Sequence, residues 1–293
     1  MGGPAVTIEP DFLDELGRFT AALNRQTTSI RQGDQQSPRV GEGLTFSDYR
    51  RYSPGDDTRR IDWKLFARTE EYFIKQYEEE RSLTVHLLVD TSASMDYGEA
   101  SSHKFEYAAK LGLGFAYLTA EENNDFRFCT FRDRVDRIDT GQSNRGELLS
   151  LIDQLNEMTV DGTADFESAL EAYAERIRSR SLVVVFSDCL TEPEELESGI
   201  AALARNDADV LLVRVVAPEE RDPGVVGDVL FADPESDEKR RSYFSGSLAK
   251  TYQSRLDAHV DSVSNRVTAL GADHVLVDTG EDYFDSFASI WLQ

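Results

Sequence analysis

Polar and apolar residues follow two rhythms along this chain, and the rhythm changes near Leu83. From there onward, short β-branched runs of the kind buried on both faces take turns with stretches whose apolar residues recur every three or four positions. "LTVHLLVD" precedes the helical pattern "KFEYAAKLGLGFAYLTAEENN". "DFRFCTF" and a short "RVDRID" precede two helices, "RGELLSLIDQLNEM" and "DFESALEAYAERIRS". "SLVVVFSD" precedes "EPEELESGIAALARN", with Pro193 near its start. "DVLLVRVV" comes before the long amphipathic "SGSLAKTYQSRLDAHVDSVSNRVTALG", which stops at Gly271 ahead of "DHVLVD". The stretch 224–244 reads as a hairpin inserted into this series. Such alternation predicts an α/β fold with a doubly wound, mostly parallel sheet and helices on both faces.

Before Leu83 the pattern is less regular. Asp11 to Asn24 predicts one helix, and "RQTTSIRQGDQQSPRVGEG" is polar and punctuated by Gly and Pro, as loops are. A dense segment, "GLTFSDYRRYSPGDDTRRIDWKLFART", leads to "EYFIKQYEEE", expected to pair as a strand beside "LTVHLLVD". The chain thus divides into an N-terminal extension, 1–82, and an α/β domain, 83–293.

Charge narrows the range of partners. With 31 basic and 55 acidic residues the formal charge is −24, which repels phosphate backbones and anionic lipid and disfavours nucleic-acid and membrane partners. The acids are spread along the whole chain, and 25 Arg far outnumber 6 Lys. That balance resembles proteins of salt-loving organisms, whose cytosol screens self-repulsion. No run approaches the roughly 18 apolar residues of a membrane span, and the first residues carry acids where a signal peptide has bases, so a cytoplasmic location is expected. Two cysteines, Cys129 and Cys189, and four histidines offer neither a disulfide framework nor zinc spacing.

The candidate chemistry sits at the predicted strand ends, where open parallel sheets bind ligands. Asp90 ends one strand and is followed by hydroxyls at Ser92 and Ser94. Thr163 lies in a loop opening a helix, and Asp188 ends "VVVFSD". Carboxylates and hydroxyls without a His or thiolate set form a hard oxygen site suited to Mg²⁺ or Mn²⁺. Each residue also has an ordinary alternative. Asp90 and Ser92 suit turns, Thr163 or Asp165 suits a helix N-cap, and Asp188 suits the cap of the helix after Pro193.

At these positions the sequence resembles von Willebrand factor A domains. Asp90, Ser92 and Ser94 match their Asp-x-Ser-x-Ser signature, and Thr163 and Asp188 fall where the second and third loops of their metal-ion-dependent adhesion site belong. The resemblance implies Ser92, Ser94 and Thr163 as direct ligands, and Asp90 and Asp188 as charged or water-mediated ones. It implies a cation that captures a carboxylate of a protein partner. Upstream, Arg50, Tyr52, Gly55 and Asp56, then Arg59 or Arg60, Ile61, Asp62, Trp63, Ala67 and Arg68, resemble the signature of the domain-of-unknown-function family 58. That resemblance implies a non-enzymatic adaptor working beside a MoxR-type AAA+ ATPase. Its bases and acids alternate, and read either as an internal ion-pair brace or as a docking surface for an acidic partner. The alternative function is a Mg²⁺- or Mn²⁺-dependent hydrolase or phosphotransferase at the same strand ends. Against it, Ser92 stands where a haloacid-dehalogenase-type enzyme needs a second aspartate, and no lysine lies in the candidate loops.

Overall fold

The computed structural model describes residues 7–31, 45–53, 61–69, 71–78, 83–98, 102–205, 208–221, 227–232 and 239–291. It forms two compact units, one of residues 1–27 and 83–293, the other of residues 28–82.

The larger unit is built on a six-stranded sheet of β3 (Thr84–Asp90), β4 (Asp125–Phe131), β5 (Val135–Arg137), β6 (Ser181–Ser187), β7 (Ala208–Val216) and β10 (Asp273–Asp278), in the order β10-β7-β6-β3-β4-β5. Every neighbouring pair is parallel except β4 with β5. The expected doubly wound, mostly parallel architecture is therefore the one present. Side chains alternate across the sheet, as a strand's period of two dictates. Val85, Leu87 and Val89 of β3, with Val184 and Phe186 of β6, join one core. Leu88, Val183 and Val185 join the other. On the first face pack α1 (Phe12–Arg31), α3 (Lys104–Glu121), α4 (Arg145–Asn156) and α9 (Tyr283–Trp291). On the second pack α5 (Phe166–Ala174), α6 (Pro193–Ala204) and the C-terminal part of α8 (Gly246–Ala269). A short α7 (Pro218–Arg221) follows β7, and β8 (Gly227–Ala232) with β9 (Lys239–Phe244) forms the antiparallel hairpin that the sequence predicts. Gly271, at φ +77°, closes α8 in the left-handed conformation that favours glycine.

Two expectations need correction. Residues 1–27 belong with the α/β unit and not with an extension ending at 82. Leu13 and Leu16 of α1 are fully buried in the first core, and Ile8 exchanges backbone hydrogen bonds with the Asn156 side chain at 2.7 and 3.0 Å. The strand in "EYFIKQYEEE", β2 (Phe73–Glu78), does not extend the main sheet. It pairs antiparallel with β1 (Thr45–Arg51) in the smaller unit. The physical reason is that β3 has β4 on one side and β6 on the other, so it has no free edge to offer. Helix α1 also runs to Arg31, beyond the predicted end at Asn24. In the smaller unit Asp62 caps α2 (Trp63–Thr69) by accepting from Leu65 N at 3.1 Å, and Arg51 forks onto Glu71 at 2.8 and 2.9 Å. Gly55, Asp56, Arg59 and Arg60 of the upstream signature lie outside the described residues.

Helices α5 and α6 cross closely because Gly199 has no side chain. A Cβ there would stand 2.6 Å from the Phe166 carbonyl oxygen. Gly199→Ala is therefore expected to lower stability by about 1–3 kcal/mol, although alanine is the better helix former. A urea midpoint equal to or above that of the parent chain would show that the helices do not meet at this glycine.

Candidate functional site

Strand order reverses between β3 and β6: the chain leaves β3 for β4 on one side, then returns to β6 on the other. The crevice beyond the carboxyl ends of these two strands is where open α/β sheets bind ligands. Asp90 ends β3 and Asp188 directly follows β6, so the two carboxylates flank the switch point. Both are buried, at 1 % and 3 % exposure.

The turn after β3 is fixed by its own side chains. Asp90 Oδ1 accepts from Ser92 N at 2.8 Å, and Asp90 Oδ2 accepts from Ser187 Oγ at 2.6 Å. The Ser92 and Ser94 hydroxyls, also buried, lie 3.0 Å apart. The loop carrying Thr163 docks against this turn through two backbone hydrogen bonds, Ala93 N to Gly162 O at 2.8 Å and Asp161 N to Thr91 O at 3.0 Å. Arg132, just past β4, holds the same loop by pairing with Asp161 and donating to its carbonyl. Thr163 itself is exposed. Its neighbour Asp165 takes the ordinary role, capping α5 by accepting from Ser168 N at 2.9 Å. Asp188 Oδ1 accepts from Leu190 N at 3.1 Å across Cys189, whose φ of +56° is unusual for a residue with a side chain. Asp90, Ser92, Ser94 and Asp188 thus gather at one rim, and the Thr163 loop is hydrogen-bonded to that rim by its backbone.

Three participants are not legible as site residues in the sequence. Lys104, the first residue of α3, is fully buried, with its ammonium 2.6 Å from Asp188 Oδ2 and 2.6 Å from Glu220 Oε1. Glu220, in α7, also accepts from Ala217 N at 3.0 Å. Ser187 supplies the hydroxyl on Asp90. No lysine lies in the candidate loops, as the sequence reads, but Lys104 reaches Asp188 from the start of α3, 84 residues earlier in the chain.

The electrostatics follow from burial. Burial, and then the nearby charge of Asp188, push the Asp90 carboxyl up to about 7 against the hydrogen bonds from Ser187 and Ser92. Burial alone would lower the Lys104 ammonium, but the charges of Asp188 and Glu220 outweigh it and hold it above its usual value. Burial raises the Glu220 carboxyl despite the attraction of Lys104. Asp188 and Glu220 share one ammonium, and Asp90 lies beside Asp188.

Among the described residues no three His, Cys, Asp or Glu side chains are arranged to hold a metal ion. A cation at this rim would therefore depend on hydroxyls, with Asp90 and Asp188 as its charged neighbours. The donor set fits such an ion. All donors are hard oxygens, and the 3.0 Å between the two serine hydroxyls matches the roughly 3 Å between adjacent ligands of an octahedral ion bonded at about 2.1 Å.

Residues 48–260 match the protein family described as "Protein of unknown function DUF58". The chain belongs to this family. Uncharacterized proteins of Mycobacterium tuberculosis and Mycobacterium bovis are 26 % identical to it over 278 residues, covering 94 % of this chain and 87 % of theirs. Among solved structures, an aerotolerance-related membrane protein from Bacteroides fragilis aligns at a TM-score of 0.45 and 12 % identity, over 72 % of this chain and 97 % of that one. The SpRpn10 von Willebrand factor A domain aligns at 0.43 and 12 %, over 71 % and 95 %. This DUF58 chain has a von Willebrand factor A-like fold: a mostly parallel sheet, helices on both faces, and Asp-x-Ser-x-Ser at the tip of its central strand.

A raised carboxyl has a defined pH signature. Between the unfolded value near 4 and the folded value near 7, native Asp90 binds more protons than unfolded Asp90, so stability falls as pH rises through that window. Asp90→Asn, in metal-free buffer, is expected to stabilise the chain at pH 8 by up to about 4 kcal/mol, with the gain vanishing near pH 4. Denaturation at the two pH values measures it, and an equal effect at both would contradict the assignment.

Proposed function

We propose that this chain is a non-enzymatic protein-binding adaptor that uses Mg²⁺ or Mn²⁺ at the switch point to capture a carboxylate of a protein partner. The observation that carries this reading is the gathering of hard oxygens at the rim, where Asp90 and Asp188 lie buried beside two serine hydroxyls 3.0 Å apart. A bound hard cation supplies a Lewis-acidic position for an incoming carboxylate oxygen. The chain's own residues prepare that position. Asp90 pins the turn that holds Ser92 and Ser94 side by side. Lys104 and Leu190 N hold both oxygens of Asp188, so that this carboxylate contributes charge without swinging inward. Thr163 is the solvent-accessible member of the set, where a guest arrives.

The family resemblance extends the reading to a MoxR-type AAA+ ATPase as working partner, in assembly or maturation of other complexes. No helix among the described residues is long and apolar enough to cross a membrane. The reading places the work in a cytoplasm, and the excess of Arg over Lys in so acidic a chain suits a salt-rich one.

A metal-dependent hydrolase or phosphotransferase is the second reading, and the contact of Lys104 with Asp188 favours it, since lysines clamp phosphoryl groups. Lys104 is fully buried and occupied by two carboxylates, however, which keeps it from a substrate. The adaptor reading accounts for more of the geometry.

A peptide display library panned on the immobilised chain in Mg²⁺ and eluted with EDTA tests it. Peptides carrying a recurrent Asp or Glu are expected from the parent chain, and none from Ser92→Ala/Ser94→Ala. Equal recovery from both, or selected peptides without an acid, would overturn the capture role.

A further inference from the structure

The six-stranded sheet ends in two outer strands of very different character. At one end β5 is only three residues long, and two of the three are charged. Asp136 pairs with Arg134 at 2.9 Å, and Arg137 with Asp139 at 2.6 Å. A short, charged edge of this kind is a poor template for a further strand. At the other end stands β10, "DHVLVD", six residues in unbroken register with β7. It has no Pro, Lys or Arg and no bulge, and its β-branched Val275 and Val277 suit a sheet. Among the described residues no strand pairs with its outer side.

The ladder decides which backbone groups of β10 point outward. Thr279 N, one residue past the strand, donates to Val216 O at 2.9 Å, so Thr279 faces β7. In a parallel pair, alternate residues turn both N–H and C=O to the same neighbour. Val275 and Val277 therefore face β7 as well, and His274 and Leu276 turn theirs outward. Among the described residues no hydrogen bond uses those four outward groups. Leu276 is 38 % exposed, so this stretch of the edge is open to solvent.

Two donors and two acceptors spaced along an extended backbone are matched by another extended backbone, the geometry of strand addition. Charge then selects among strands. β10 begins at exposed Asp273 and ends at Asp278, in a chain of net charge −24. Arg221 meets Asp278 at 2.8 Å, which leaves Asp273 as the stronger attractor. A second copy of β10, paired antiparallel in full register, would set Asp273 against Asp278 at both ends, and like charges directly opposite are destabilising. A strand with Lys or Arg at those positions turns both repulsions into attractions.

We infer that the outer edge of β10 takes up an extended, basic segment of a partner protein as a seventh strand, hydrogen-bonded to the backbone of His274 and Leu276 and drawn by Asp273. The inference goes beyond carboxylate capture at the rim and shares no residue with it.

The probe is the capped peptide acetyl-Lys-Val-Thr-Val-Thr-Lys-amide, compared with its counterpart carrying Glu at both ends. Each is titrated into the full chain in EDTA and followed by amide chemical shifts and hydrogen exchange. In the free chain the amides of His274 and Leu276 are expected to exchange much faster than those of Val275 and Val277. The Lys peptide is expected to slow and shift them, and to bind about tenfold more tightly than the Glu peptide. Leu276→Pro removes an N–H that bonds to nothing in the free chain, so binding is expected to be lost with the melting temperature little changed. Asp273→Lys, at an exposed position, is expected to remove the preference for Lys over Glu. Amides of His274 and Leu276 already protected in the free chain, equal binding of the two peptides, shifts centred elsewhere, or binding undiminished in Leu276→Pro would overturn the inference. Protection of these amides that grows with chain concentration would give the edge to a second copy and overturn it too. With EDTA present throughout, the outcome does not depend on the rim cation.

Discussion

A single ammonium shared by two carboxylates, with a third carboxylate close by, is the constraint from which the rim takes its form. Lys104 lies in the dry interior at the start of α3, and removing one partner of such a buried pair typically costs 3–5 kcal/mol. The pairing ties three parts of the unit together: the helix that follows the Asp-x-Ser-x-Ser turn, the tip of β6, and the short helix after β7. Glu220 passes the tie onward, since its backbone carbonyl accepts from Tyr252 of α8 at 2.7 Å. Asp90 stands beside Asp188 in a desolvated crevice, raised by that burial and by its neighbour's charge. The cation proposed for this rim would meet carboxylates already buried and held by hydrogen bonds.

The sheet makes this arrangement possible. β3 and β6 are interior strands whose side chains feed both cores, so their ends are anchored from both faces of the sheet. Oxygens mounted on such ends stay in place better than oxygens on a free loop. Thr163 is the exception, being exposed on a loop that is anchored through its backbone neighbours and the Arg132–Asp161 pair. In the proposed capture role the buried oxygens would be the fixed ligands and Thr163 the one facing a guest.

Much of this was legible in the chain because periodicity survives translation into structure. The alternation of β-branched runs and helical patterns after Leu83 appears as the α/β unit, and Gly271 marks the end of α8 where expected. The failures have a common cause, which is that they depend on which elements become neighbours. Nothing in "EYFIKQYEEE" reveals that β3 is already flanked on both sides. Nothing in Asp11 to Asn24 reveals that Leu13 and Leu16 will enter the main core. Lys104 and Glu220 are 116 residues apart, and each reads as part of an ordinary helix surface until the fold brings them together. With 55 acids in the chain, one glutamate carries no signal of its own. One clue to Lys104 was present: lysine is scarce here, and this one opens a helix shortly after the Asp-x-Ser-x-Ser turn.

The claim that most depends on this account is that the oxygens of Ser92, Ser94 and Thr163 surround a divalent cation beside Asp90 and Asp188. Anomalous scattering from crystals of the chain soaked in Mn²⁺ tests it most directly. The account predicts one strong peak within bonding distance of the two serine hydroxyls and the threonine hydroxyl. A map with its manganese peaks only on surface carboxylates, and none at the tip of β3, would contradict it.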